Sequence, residues 1–144
     1  MTYSYLWATA AAVLALQTSA IAQPVATPAE LRKITDQIMT QVGAGNFDAG
    51  LKLMKSRTVI PEAEFDAMAG QAKVQLPGIA LRFGANLGYE FLREDRAGEN
   101  LIRYTYIQRF DKHALRWIFY MYRGKAGWVI NTFMFDDKLQ SVFP

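Results

Sequence analysis

"LIRYTYIQRFDKHALRWIFYMYRGKAGWVINTFMFDD" (residues 101–137) decides the fold. Three runs rich in aromatic and β-branched residues, "LIRYTYIQRF", "LRWIFYMYR" and "WVINTFMFD", are separated only by "DKHA" and "GKAG". Such runs with short polar or glycine-containing connections read as antiparallel strands joined by hairpins. A fourth run, "LGYEFLRED", precedes them across "RAGEN". The second half of the chain is therefore expected to be a four-stranded meander.

Pairing the strands assigns their faces. With "GKAG" as the turn, Arg123 faces Trp128, and the same face runs through Met121, Ile130, Phe119, Thr132, Trp117 and Met134. A four-residue "DKHA" turn carries it on to Phe110, Gln108, Tyr106, Tyr104 and Ile102. The opposite face then holds Arg103, Thr105, Ile107, Arg109, Arg116, Ile118, Tyr120, Tyr122, Val129, Asn131, Phe133 and Phe135. A three-residue turn would invert the second strand, because a one-residue slip exchanges the faces. The first face is nearly free of charge and is expected to meet the helices. The second mixes arginine with aromatic rings, a composition found at the centres of interfaces. It predicts a homodimer or another protein contact through that face, with cover by the leader "QPVATPAE" (23–30) or by "DKLQSVFP" as the alternative.

Upstream, the period becomes helical. Thr27, Pro28 and Glu30 have the spacing of a capping box, and Leu31, Ile34, Ile38, Met39 and Val42 follow at helical intervals up to Gly43 and Gly45. Asn46 is placed to cap a second helix with Phe47, Leu51 and Met54 on one side. Pro61 opens a third, whose stripe Phe65, Met68, Ala69, Ala72 and Leu76 is expected to stop at Pro77-Gly78. The fold class is thus α+β, with three N-terminal helices packed on a curved four-stranded antiparallel sheet.

The first 22 residues read differently. "MTYSYLWATAAAVLALQTSAIAQ" carries no charge, has an apolar run from Leu6 to Leu16, and ends in the small-x-small pattern Ala20-Ile21-Ala22. This predicts a signal peptide over 1–22, cleaved before Gln23, and a periplasmic or secreted domain over 23–144. The apolar run falls short of the roughly 20 residues of a spanning helix, so no integral membrane span is expected after processing.

Composition narrows the chemistry. With 144 residues, 51% hydrophobic and 20% charged, the chain fits one globular domain. Its net charge of +3 comes from interleaved signs, with no basic run or ribonucleoprotein-type motif, which argues against nucleic acid. There is no cysteine, hence no disulfide and no thiol chemistry. The single histidine, His113, falls in a predicted turn, so neither a histidine-based triad nor a transition-metal site is expected. Adjacent Asp136 and Asp137 on a strand point to opposite sides and make a poor chelate for a hard cation. "RGKAGW" has neither the loop length nor the following helix of a phosphate-binding loop. No cofactor is implied.

One catalytic arrangement stays open. Asp136, placed on the inner face, could act with Tyr104 or Tyr106 in a cofactor-free lyase or isomerase, where an apolar pocket raises a carboxylate and a tyrosine stabilises an enolate. The competing reading has Asp136 and Asp137 end the strand and cap the last turn.

Two stretches carry a family resemblance. "GNFDAGLKLM" (45–54) and "GWVINTFMFDD" (127–137) resemble the small exported bacterial proteins of the nuclear transport factor 2-like, or cystatin-like, superfamily. The resemblance implies a cone-like α+β fold in which helices close over a sheet to form a pocket, and frequent dimerisation through the outer sheet face. It implies no single activity, because this superfamily hosts enzymes, carriers and interaction modules. The expected role is non-catalytic binding of a small apolar or amphipathic ligand or of a protein partner. The alternatives are the isomerase-like enzyme and a structural homodimeric envelope component. Pocket or interface candidates are Tyr106, Trp117, Phe119, Met134, Arg103, Arg116, Tyr120, Tyr122 and Phe133.

Overall fold

A computed structural model describes residues 22–144. The predicted signal segment lies outside the described residues, apart from its last residue. Three helices, α1 (Pro28–Gly43), α2 (Phe47–Lys55) and α3 (Glu62–Phe83), precede four strands, β1 (Asn86–Ala97), β2 (Leu101–Phe110), β3 (Ala114–Gly124) and β4 (Gly127–Asp136). A short 3-10 turn over Leu139–Val142 follows. The strands form one antiparallel sheet in the order β1-β2-β3-β4, so the class is α+β as expected. None of the described helices is long and apolar enough to cross a membrane.

α1 starts at the predicted capping box. The Thr27 hydroxyl accepts from the Glu30 N–H at 3.2 Å and the Glu30 carboxylate accepts from the Thr27 N–H at 2.9 Å, which satisfies two free donors of the first turn. Its buried face is Leu31, Thr35, Ile38, Met39 and Val42. α2 packs tightly on it, since a Cβ on Gly50 would lie 2.8 Å from Val42 Cγ2. Asn46 sits at the N-cap of α2, but its amide donates to Gln41 Oε1 and makes no side-chain cap.

α3 departs from expectation. It runs straight through Pro77-Gly78 to Phe83. Proline removes one intrahelical hydrogen bond but already holds a helix-compatible φ. The apolar spacing continues past it through Leu76 and Ile79 to Phe83, which is 3% exposed and meets the rings of Phe110 (5.7 Å) and His113 (4.5 Å). Tertiary packing at Phe83 outweighs the local breaker.

The sheet keeps the expected inner face over β2 and β3, though by a different turn. Phe110 N–H donates to His113 O at 2.9 Å, so the hairpin closes on the two residues Asp111 and Lys112 rather than four. An even change preserves the faces, and Tyr106 pairs with Trp117 and Tyr104 with Phe119.

β4 is where the face assignment fails. Arg123 pairs with Trp128 and Met121 with Ile130 as predicted, but the register then shifts and Tyr120 pairs with Thr132. Asn131 is the extra residue of a β-bulge, and everything after it changes side. Phe133 and Phe135 therefore turn inward, Phe133 against Phe65 (5.8 Å) and Phe135 stacked on Trp117 (4.7 Å). Met134 turns outward and is 42% exposed. Asp136 also lies on the outer face, paired in register with Arg116.

The core lies between the helices and the inner face, with Trp117, Tyr104, Tyr106, Phe119, Met121 and Ile130 at 0% exposure. Val25 in the leader bridges Trp128 through two backbone hydrogen bonds of 2.9 and 2.8 Å, and Arg57 to Val59 bond to Ile130, which covers the first half of the β4 edge. Gly127 permits this: its φ is +130° and a Cβ would lie 2.6 Å from Val25 O.

Candidate functional site

Under the C-terminal half of α3 lies a cavity of about 310 Å³. Its floor is Gln108, Phe110, Leu115 and Phe135 of the sheet, one wall is Val42 and Phe47, and its roof is Leu76, Ile79 and Ala80 of α3. α3 is anchored by Phe65, Ala69 and Ala72 at one end and Phe83 at the other, and no residue between Ala72 and Phe83 is buried. The roof therefore stands off the sheet.

Two polar side chains border this space, and both are committed. Gln108 donates to Val42 O (3.2 Å) and accepts from Trp117 Nε1 (3.1 Å), while Asn86 donates to the same carbonyl at 2.9 Å. The cavity thus presents a mostly apolar lining whose two polar side chains are already bonded. Toward solvent it shares Gly45, Phe47 and Leu76 with a shallower depression that also holds Gln41, Asn46, Asp48 and Lys73. Lys73 Nζ is 2.6 Å from Asp48 Oδ1 at this rim, with half of its side chain exposed.

Tyr104 and Tyr106 are on the inner face as expected, but they do not line this cavity. Tyr106 donates to Asp36 Oδ1 at 2.8 Å, and the Thr35 hydroxyl lies 2.7 Å from the same phenol oxygen. Arg32 Nε donates to Asp36 Oδ1 at 2.9 Å, and its guanidinium lies over the Phe91 ring. Burial pushes the Tyr106 phenol well above its ordinary range; Thr35 pulls it back and Asp36 raises it further. Tyr104 donates to Pro28 O at 2.9 Å, and burial, with Glu94 nearby, pushes it up to about 12. Both phenols remain neutral donors at physiological pH, tying α1 to the sheet. In the sequence Asp36 stands out only as a residue of the polar side of α1, and its spacing four residues after Arg32 is the signal that marks the ion pair.

Asp136 is not brought to either tyrosine, and this corrects the proposed catalytic pair. Its carboxylate accepts two bonds from Arg116, at 3.0 Å from Nε and 2.7 Å from Nη2, and a third from Lys138 N–H at 3.1 Å. The Arg116 bonds, opposed by partial burial, hold the carboxyl below its ordinary range. An ionised, saturated carboxylate on the outer face is no general base for an interior pocket. Its contact with Lys138 fits the reading in which it ends the strand.

The outer face carries the predicted Arg103, Arg116, Tyr120 and Tyr122, but not Phe133. Arg103 donates to Asp95 at 2.9 and 3.1 Å, and Asp95 also accepts from Arg93. The C-terminal segment folds back over part of this face: Arg116 donates to Ser141 O and Arg93 to Val142 O. Thr105 and Ile118, on outward positions of the central strands, are 2% and 5% exposed. Cover by "DKLQSVFP" is therefore realised over one part of the face, which leaves Leu101 and Tyr122 exposed.

Contrary to expectation, His113 is not in the two-residue turn but closes it opposite Phe110, half-buried against Phe83. Among the described residues no group of three or more His, Asp or Glu could hold a metal ion. No protein-family model, curated protein or solved structure matches the chain.

Proposed function

We propose that this protein is a small non-catalytic carrier whose α3-roofed cavity takes the apolar tail of a single-chain amphiphile and leaves its polar end at the Gln41–Lys73 rim. The observation that carries this reading is a cavity of about 310 Å³ with an apolar lining, whose bordering amides are already paired. Such a lining recognises hydrocarbon and offers no group for chemistry. The volume sits at the lower end for ligand pockets, roughly 300–1,000 Å³, which suits one chain rather than a fused-ring system. The helix-then-meander order supports the nuclear transport factor 2-like resemblance, and export in the predicted mature form suits a carrier of poorly soluble molecules.

Decanoate and decanol are suitable probes, because a ligand that binds only the folded state raises the melting point with its concentration. Both are expected to stabilise the protein, and Ile79→Trp, which fills the space from the roof, abolishes the effect. Lys73→Glu weakens decanoate selectively and leaves decanol unchanged. Native mass spectrometry of gently purified protein then reads any co-purified molecule. No stabilisation by either probe, or stabilisation that survives Ile79→Trp, would sink the carrier reading.

The outer face supports a second reading, contact with a protein partner, through the part around Leu101, Arg103, Tyr120 and Tyr122 left open by the C-terminal segment.

A further inference from the structure

α3 is apolar on the wrong side as well as the right one. At about 100° per residue, Ala63, Ala67, Gly70, Val74, Gly78 and Leu81 fall within an arc of about 80°, opposite the buried Phe65, Ala72 and Phe83. All six face solvent, with Val74 81% and Leu81 84% exposed. No charged residue interrupts the stripe. Polar and charged residues separate two apolar faces, of which the inner one is buried and the outer one is open.

The two glycines add an independent observation. Glycine weakens a helix interior, and the backbone does not ask for it at either place: neither Gly70 nor Gly78 has a positive φ, and a Cβ added at either would meet nothing within 4 Å. Nothing inside the described chain uses the missing side chains. Close approach of another backbone from outside would.

We propose that this face is the site where a second copy of the chain docks, α3 against α3 and antiparallel. The self-complementarity is in size and charge. A two-fold axis near residue 73 seats Leu81 over the gap between the partner's Ala63 and the partner's Ala67, and Val74 beside the partner's Gly70. Glu64 and Arg82 flank the stripe on the same side, and the same axis sets Glu64 opposite the partner's Arg82, twice by symmetry; within its own chain Arg82 makes only a loose, exposed 3.8 Å contact with Asp137, which leaves it able to take a second carboxylate. A membrane surface is disfavoured as the occupant, since the flanks carry acidic Glu64 and Asp66 as well as Lys73 and Arg82 instead of the basic flanks of interfacial helices. The stripe is about 27 Å long at 1.5 Å per residue. On a helix about 10 Å across, that strip offers on the order of 270 Å², less than the roughly 800 Å² per partner of a standard interface, so the dimer is reversible.

Sedimentation velocity over about 1–100 μM, a range that brackets weak micromolar association, is the first test. The sedimentation coefficient is expected to rise with concentration, and Val74→Glu abolishes the rise with an unchanged melting point. Glu64→Arg and Arg82→Glu each weaken association at least threefold, and the double variant restores it. Because the chain has no cysteine, Val74→Cys is expected to give an oxidised dimer and Tyr122→Cys, on the outer sheet face, none. A monomer at every concentration, cross-linking through Tyr122→Cys instead, or Val74-dependent binding to lipid vesicles without self-association would each overturn the proposal.

Discussion

Removing the Arg116 side chain by Arg116→Ala is expected to destabilise the protein by about 2–3 kcal/mol at neutral pH, somewhat below the roughly 3–5 kcal/mol of a fully buried ion pair because both side chains keep some solvent contact. The pair is 12% and 17% exposed at its two side chains, and Arg116 makes two charged hydrogen bonds to Asp136. It also holds Ser141 O at 3.3 Å, so the C-terminal segment loses a tether in the same variant. Alanine leaves the Asp136 carboxylate partly desolvated with only the Lys138 N–H as partner. At roughly 4 °C per kcal/mol for a chain of this size, the melting point falls by about 10 °C.

The pH dependence gives the assay its second axis. Asp136 has a folded-state pKa below its unfolded value, so its contribution is complete above the ordinary carboxylate range near pH 4 and is lost as pH falls through the depressed folded value. The difference between wild type and Arg116→Ala in urea titrations should therefore be full at pH 7 and should shrink steadily below about pH 4. Removing both partners in Arg116→Met/Asp136→Leu is expected to cost less than removing either, because no stranded charge remains. A wild-type midpoint for Arg116→Ala at pH 7, or a gap that stays constant into acid, would refute this account of the outer face.

Three further outcomes follow from the interior. Trp117→Ala removes a fully buried indole and strands the Gln108 carbonyl oxygen, so an equilibrium melt should show a loss of about 3–5 kcal/mol. Tyr106→Phe deletes the phenol that joins Asp36 and Thr35 across α1 and β2; a loss of about 1–2 kcal/mol is expected by thermal denaturation, and none would mean the tie is idle. Gly50→Ala places a methyl 2.8 Å from Val42 Cγ2 and should cost about 1–3 kcal/mol by overpacking, with Val42→Ala added to the same chain recovering part of it.

Periodicity made the element order legible, because 3.6- and 2-residue repeats are local properties that packing has to respect. The inner face of β2 and β3 was legible for the same reason: Tyr104, Tyr106, Trp117 and Phe119 alternate with arginines that cannot be buried unpaired. β4 was not. "WVINTFMFD" is apolar at so many positions that neither parity looks wrong, and the bulge at Asn131 adds one residue without a glycine or proline to announce it. That single residue moved Met134, Phe133 and Asp136 to the sides opposite those expected, and with Asp136 went the catalytic pair. Pro77 misled in the other direction, since a local breaker gave way to the anchor at Phe83. The cavity escaped the sequence because its lining comes from α1, α2, α3 and the sheet, and empty space leaves no residue to mark it.

The anchoring of α3 bears on how quickly anything could pass beneath it. Phe65 is clasped by Phe133 at one end, and at the other Lys112 N–H bonds to Phe83 O at 2.9 Å. A roof fixed at both ends is a beam rather than a door: it yields by bowing at mid-span, where Pro77 has already removed one rung of the backbone ladder. On the carrier reading proposed above, uptake and release share one bending barrier, so that a substitution stiffening the span, such as Pro77→Ala, slows both rates of decanoate exchange together and leaves the affinity almost unchanged.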